Sequence, residues 1–316
     1  MVVGHQIIFN CRIFLILFYF STMDYQSVLK NLKPNHDFFI GIDSDGCVFD
    51  SMEVKQKEFF IPNALKYFNL FPVSKLLRET WEFVNLYSVY RGGNRFPAMI
   101  KVFDLLSDRE EIKETGFKLP DMSALKEWIS TETKLGNSTL RKYFENKNDK
   151  SLEVVVKWSE SVNREISEWL HDIPPFYYAV KAIEKISQIA DIIVVSQTPL
   201  EALEREWLEN DIKKYVRMIA AQEHGTKAEH IAVAAKGKYP DEKILLIGDA
   251  FGDMLAAQTN NVLFYPVVPG QEDQSWKKLL NEGLERFLNG TFAGSYEESL
   301  LAEFRKVLPI TPPWKR

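Results

Sequence analysis

Residues 38–50 read FFIGIDSDGCVFD. The apolar run Phe38 to Ile42, set between turn residues, predicts a short buried strand. It stops abruptly at Asp43, and Asp45 and Asp50 follow within seven positions. Carboxylates crowded at a strand end repel one another. Either a cation neutralises them or they relax in a solvated loop. Gly46 lets the chain turn sharply after Asp45.

Outward from this stretch, residues 53–172 carry helical periodicity. Examples are SKLLRETWEFVNLYSVY and SLEVVVKWSESVNREISEWL, with Gly92-Gly93, Gly116, Pro120 and Gly136-Asn137 as punctuation. No strand is expected there. Its tryptophans Trp81, Trp128, Trp158 and Trp169 read mostly as a helical core. After Pro174-Pro175 the pattern changes. Apolar runs at 191–196, 216–221, 243–248 and 262–267 alternate with helical stretches at about 176–189, 200–208, from Lys227 and from about Asp253. Strands alternating with helices predict a parallel sheet covered on both faces, whose strands read as continuous apolar runs.

The expected fold class is therefore α/β, a Rossmann-like parallel sheet with helices on both faces and a large all-helical insert. The expected division is a core of 35–52 plus 174–290, an insert of 53–173, and a C-terminal helix and tail of 291–316. The last residues, TPPWKR, are expected to fray. Residues 1–22 form an apolar leader. IIFNCRIFLILFYF (7–20) is interrupted by Asn10 and Arg12, too short for a comfortable span, and lacks the marks of a secretory signal. The preferred reading is that Met23 is the true start, with an anchor or signal as the alternative.

The chain has 316 residues, 46% hydrophobic and 26% charged, enough for a substantial core. A net charge of −5 with both signs spread argues against nucleic-acid binding. Cys11 and Cys47 give neither a metal-ligand spacing nor a disulfide framework, and suit a reducing, cytoplasmic setting. No membrane association is expected unless the leader is real. Oligomeric state is not legible.

Ligands of open parallel sheets bind beyond the carboxyl ends of the strands. The polar residues there are Asp43, Asp45 and Asp50; Ser196 and Gln197; His224, Thr226 and Lys227; and Asp249 and Asp253. Each has a plain alternative. The Asp43–Asp45 pair alone could be a loop, Ser196 a strand-end cap, Lys227 a solvated helix residue, and Asp253 a helix N-terminal acid. Asp50 and His224 read better as structural.

Taken together, these segments resemble the four motifs of the haloacid dehalogenase-like hydrolases. IDSDGCVFDS resembles the first, the apolar strand closing in Ser196 the second, Lys227 the third and GDAFGD (248–253) the fourth. Cys47 and Val48 depart from the commoner Thr and Leu. The resemblance implies that Asp43 is the nucleophile and Asp45 the general acid/base, which also touches the metal through its backbone carbonyl. It implies further that Asp249 ligates Mg²⁺, that Asp253 ligates through water or holds Lys227, and that Ser196 and Lys227 bind the phosphoryl oxygens. Mg²⁺, a hard cation content with few carboxylates plus phosphate and waters, suits this set.

An insert after the first motif sits where that family places a C1 cap. Within it, YRGGNRFP (90–97) offers Arg91 and Arg95 as a clamp for a second anionic group or sugar hydroxyls, or else as a plain surface turn. The expected function is Mg²⁺-dependent hydrolysis of a small phosphorylated metabolite through an aspartyl-phosphate. A phosphosugar mutase or a non-catalytic binding protein on the same fold is the alternative. Asp45 argues against dehalogenase and phosphonatase chemistry.

Overall fold

The structure, a computed structural model, describes residues 25–315; the leader and the alternative start at Met23 lie outside them. Five parallel strands form one sheet: β1 (Phe38–Ile42), β2 (Ala190–Val195), β3 (Met218–Ala220), β4 (Ile244–Gly248) and β5 (Leu263–Pro266), in the order β3-β2-β1-β4-β5. The reversal of strand order beside β1 places a crevice at the carboxyl ends of β1, β2 and β4. Ile42 pairs with Val194 on one side and Ile247 on the other, and Asp43 N–H extends the ladder to the Ile247 carbonyl at 2.9 Å. Register alone therefore aligns Asp43 with the ends of β2 and β4.

The chain opens with α1 (Tyr25–Lys30), before β1. After β1 come α2 (Ser51–Val54), a π-helical stretch (Lys55–Phe60) and α3 (Ile61–Tyr67). Then follow α4 (Ser74–Leu86), α5 (Arg95–Ser107), α6 (Glu110–Thr115), α7 (Ser123–Thr131), α8 (Asn137–Lys147) and α9 (Lys150–Trp169). Among the described residues no strand interrupts this series. It encloses its own apolar cluster, in which Trp81, Trp128 and Trp158 are buried, whereas Trp169 is 74% exposed. The chain leaves and returns at adjacent points: Phe176 N–H donates to the Val48 carbonyl at 2.9 Å, and Phe49 bridges Pro175.

The remaining helices are α10 (Tyr177–Ile186), α11 (Leu200–Glu209), α12 (Lys227–Ala234), α13 (Phe251–Thr259), α14 (Glu272–Lys278), α15 (Leu284–Leu288) and α16 (Ser295–Val307). They cover both faces of the sheet because successive strand residues point to opposite sides. Ile40, Ile42, Ile192 and Val194 pack with Ile183 of α10, Trp207 of α11 and Trp276 of α14. Phe39, Ile193, Leu246 and Phe264 pack with Ile231 of α12, Met254 of α13 and Phe304 of α16.

Three expectations shift. The third strand shortens from 216–221 to Met218–Ala220, since it is an edge strand with only β2 to pair with. The fourth motif's helix starts at Phe251, not Asp253, because the Asp253 carboxylate accepts from Ala250 N–H at 3.1 Å and closes the first turn. The tail does not fray. Trp314 lies against Phe83, with the Arg109 guanidinium 4.6 Å from its ring, and Lys315 pairs with Asp108 at 2.7 Å. A half-buried indole packed on the helical insert anchors a segment that its composition marks as loose.

Candidate active site

Asp43 emerges from β1 into a buried pocket and is 4% exposed. Asp249 and Asp253, from the end of β4 and the first turn of α13, are equally buried, at 1% and 0%. One carboxylate oxygen from each of the three lies within 4.8 Å of the others. Gly248 makes room for this: a Cβ there would come within 2.4 Å of the Asp253 Cγ. Lys227, the first residue of α12, sits 2.9 Å from Asp43 and 2.5 Å from Asp253. Thr226 caps that helix with Glu229 in a reciprocal pair, which fixes where Lys227 begins to project.

Electrostatics follow from burial. Desolvation raises the Asp43 carboxyl well above its ordinary value, and Asp253 and Asp249 add to the rise against the opposing charge of Lys227. Desolvation likewise raises Asp253, again against Lys227. Burial alone would lower Lys227, but Asp253 and Asp43 outweigh it and hold the ammonium charged.

The helical insert contributes the second base. Arg91, 3% exposed, donates from Nε to Asp249 Oδ2 at 2.6 Å and from Nη1 to the Leu86 carbonyl at 2.9 Å. Its path crosses Gly46, whose φ is +77° and whose place a Cβ could not share: it would lie 2.5 Å from Arg91 Nη2. Three carboxylates thus face two bases, leaving one negative charge unbalanced. Asp249 Oδ1 is buried with no hydrogen-bond partner. A buried carboxylate oxygen without a donor is costly. These features fit a hard cation held by Asp43, Asp249 and Asp253.

Asp45 faces elsewhere. Its carboxylate accepts from Lys55 Nζ at 2.6 Å, Thr198 Oγ1 at 2.6 Å and the Ser51 hydroxyl. Burial would raise this carboxyl, yet Lys55 and the two hydroxyls prevail and hold it below its usual value. The carboxylates of Asp45 and Asp50 therefore do not join the cluster that the crowded strand end suggests. Asp50 lies just before α2, and burial followed by the charge on Glu53 raises it.

Ser196 closes β2, 2% exposed, with its hydroxyl accepting from Thr198 N–H at 3.2 Å. Gln197 donates to the Gly225 carbonyl at 2.8 Å, tying this loop to the one that carries Lys227. His224 is packed, its Nδ1 accepting from Ala221 N–H at 2.9 Å. Arg95 lies apart from Arg91. It donates to Ser159 Oγ at 3.0 Å and Asn163 at 2.7 Å and stacks 4.9 Å from the Phe60 ring. Burial brings it down to about 10. Lys55 and Thr198 were not singled out from the sequence. A helical reading of SMEVK would have placed Ser51 and Lys55 on one face, four residues apart, directly behind the first motif.

Among the described residues no helix is long and apolar enough to cross a membrane. No family model matches the chain, and no curated protein does. Solved structures do resemble it. A haloacid dehalogenase-like family hydrolase from Streptococcus pneumoniae matches at 15% identity over 85% of this chain and 98% of its own, with a TM-score of 0.41. A hydrolase from Pseudomonas syringae matches at 14% identity over 78% and 98%, TM-score 0.44. A protein described as a predicted phosphoglycolate phosphatase from Haemophilus somnus 129pt matches at 14% identity over 77% and 96%, TM-score 0.47. Likenesses this distant carry no chemistry, which rests on the residues above.

Proposed function

We propose that this chain is a phosphatase of the haloacid dehalogenase-like type, acting on a small phosphorylated metabolite with Mg²⁺ as cofactor. The observation that supports it most is the meeting of Asp43, Lys227, Asp249 and Asp253, drawn from three separate segments, in one buried pocket. Bound at Asp43, Asp249 and Asp253, the cation would offset negative charge as a phosphoryl group approaches a carboxylate.

The chain's own residues do the rest. Asp43 attacks phosphorus, forming an acyl phosphate as the bond from phosphorus to the leaving alcohol breaks. Lys227 and Ser196 hold the transferring oxygens, and Asp253 keeps Lys227 in place. Asp45 gives a proton to the departing oxygen, then takes one from the water that cleaves the acyl phosphate and releases phosphate. As held by Lys55, Ser51 and Thr198, Asp45 is in its base form. The dianionic substrate raises its proton affinity for the first step.

Phosphate release from p-nitrophenyl phosphate and a phosphometabolite panel with Mg²⁺ tests this. The wild type is expected to turn over at least one ester, and Asp43→Asn to lose more than about 10³-fold, as for loss of a covalent nucleophile. No release across the panel would overturn the proposal.

A further inference from the structure

A shallow, solvent-open cleft lies between the end of α9 and α11. Its walls include Lys55 and Thr198, the two residues that hold the Asp45 carboxylate. The leaving oxygen would meet Asp45, and the cleft on the far side of Lys55 and Thr198 is open to the remainder of the alcohol. This step rests on the phosphatase reading above.

The charged groups lining the cleft are mostly paired. Lys55 is bound to Asp45. Arg205 and His171 both approach Glu209, each at 3.9 Å. Asp172 faces solvent, and Glu206 is the buried acid without a cation of its own. Its carboxylate receives only a long hydrogen bond from Ser44 Oγ, at 3.3 Å, while that hydroxyl also accepts from Trp207 Nε1 at 3.0 Å. Burial, and next the charge on Asp45, push the Glu206 carboxyl up to about 8. The cleft thus carries an acid that lacks donors. An entering ammonium would favour release of the Glu206 proton and pair with the carboxylate, whereas an entering anion would gain no such pairing and would meet the ionised Asp45. Neither arginine of the 90–97 turn is at hand to offset it. Arg91 is bound to Asp249, and Arg95 to Ser159 and Asn163.

We propose that Glu206 is a specificity-determining residue. It selects phosphate monoesters whose leaving alcohol brings hydrogen-bond donors into this cleft, an amino alcohol being the strongest form, and rejects those bearing a second anionic group.

O-phosphoethanolamine and phosphoglycolate are near-equal in length and opposite in the charge they add, which makes them the probes. Their binding is measured by calorimetry on Asp43→Asn protein, which cannot turn them over. O-phosphoethanolamine is expected to bind about tenfold tighter or better, a tenfold ratio being about 1.4 kcal/mol. Adding Glu206→Lys is expected to invert the preference, and adding Glu206→Gln to shrink it. Equal or tighter binding of phosphoglycolate, failure to bind either ester, or a ratio unmoved by both substitutions would overturn the assignment. If the preference is present but the wild type releases no phosphate from any ester, the phosphatase reading falls and the cleft's selectivity stands.

Discussion

Arg91 and Arg95 sit four residues apart in one turn of the helical insert, yet they belong to different regions of the molecule. Arg91 reaches the edge of the sheet and neutralises Asp249; Arg95 turns back into the insert and bonds neutral groups around Ser159. At the sheet edge, charge is concentrated and incompletely balanced, the condition of a site that awaits a ligand. Around Arg95 the guanidinium finds neutral hydrogen-bond partners beside a core of tryptophans, the condition of a scaffold.

Substitution separates the two. Arg91→Ala strands a buried carboxylate and is expected to cost about 3–5 kcal/mol, the usual penalty for breaking a buried pair. Because a divalent cation can take over part of that charge, Mg²⁺ should recover more of the lost Tm in Arg91→Ala than it adds to the wild type. Arg95→Ala removes hydrogen bonds and a ring contact and should cost less, about 1–3 kcal/mol, with a deficit that Mg²⁺ leaves unchanged. Thermal melts of both variants with and without Mg²⁺ read the contrast. Equal Mg²⁺ responses would erase the distinction between the regions.

The same contrast governs what the sequence makes legible. The strands of the sheet are buried on both faces and read as apolar runs, so β1 appears at its true limits, Phe38–Ile42. Site residues at strand ends are legible because each lies beside its run. Lys227 opens its helix where Thr226-Lys227-Ala-Glu229 reads as a cap. What stays hidden depends on partners distant in the chain: Arg91 with Asp249, 158 positions apart, and Thr198 with Asp45, 153 apart. Glu206 gives no signal at all, as one acid among several on an amphipathic helix. The docked tail is hidden for a similar reason, since TPPWKR shows an end but not the surface that receives Trp314.

A smaller effect concerns pH. The folded protein holds a proton on Glu206 up to about pH 8, whereas the unfolded chain releases it near the ordinary glutamate value of about 4.3. This group's contribution is therefore full below the unfolded value and lost as pH rises through 8. From pH 5 to pH 9 the wild-type Tm should fall relative to that of Glu206→Gln, which has nothing to release. Parallel Tm curves would show that Glu206 is ionised in the folded state.

The account depends most on Asp43, Asp249 and Asp253 acting as one cation site. Calorimetric titration with Mg²⁺ tests it directly. One Mg²⁺ per chain binding to the wild type, with binding lost in Asp249→Ala, is the predicted result. No binding to the wild type, or the same affinity in the folded variant, would contradict it.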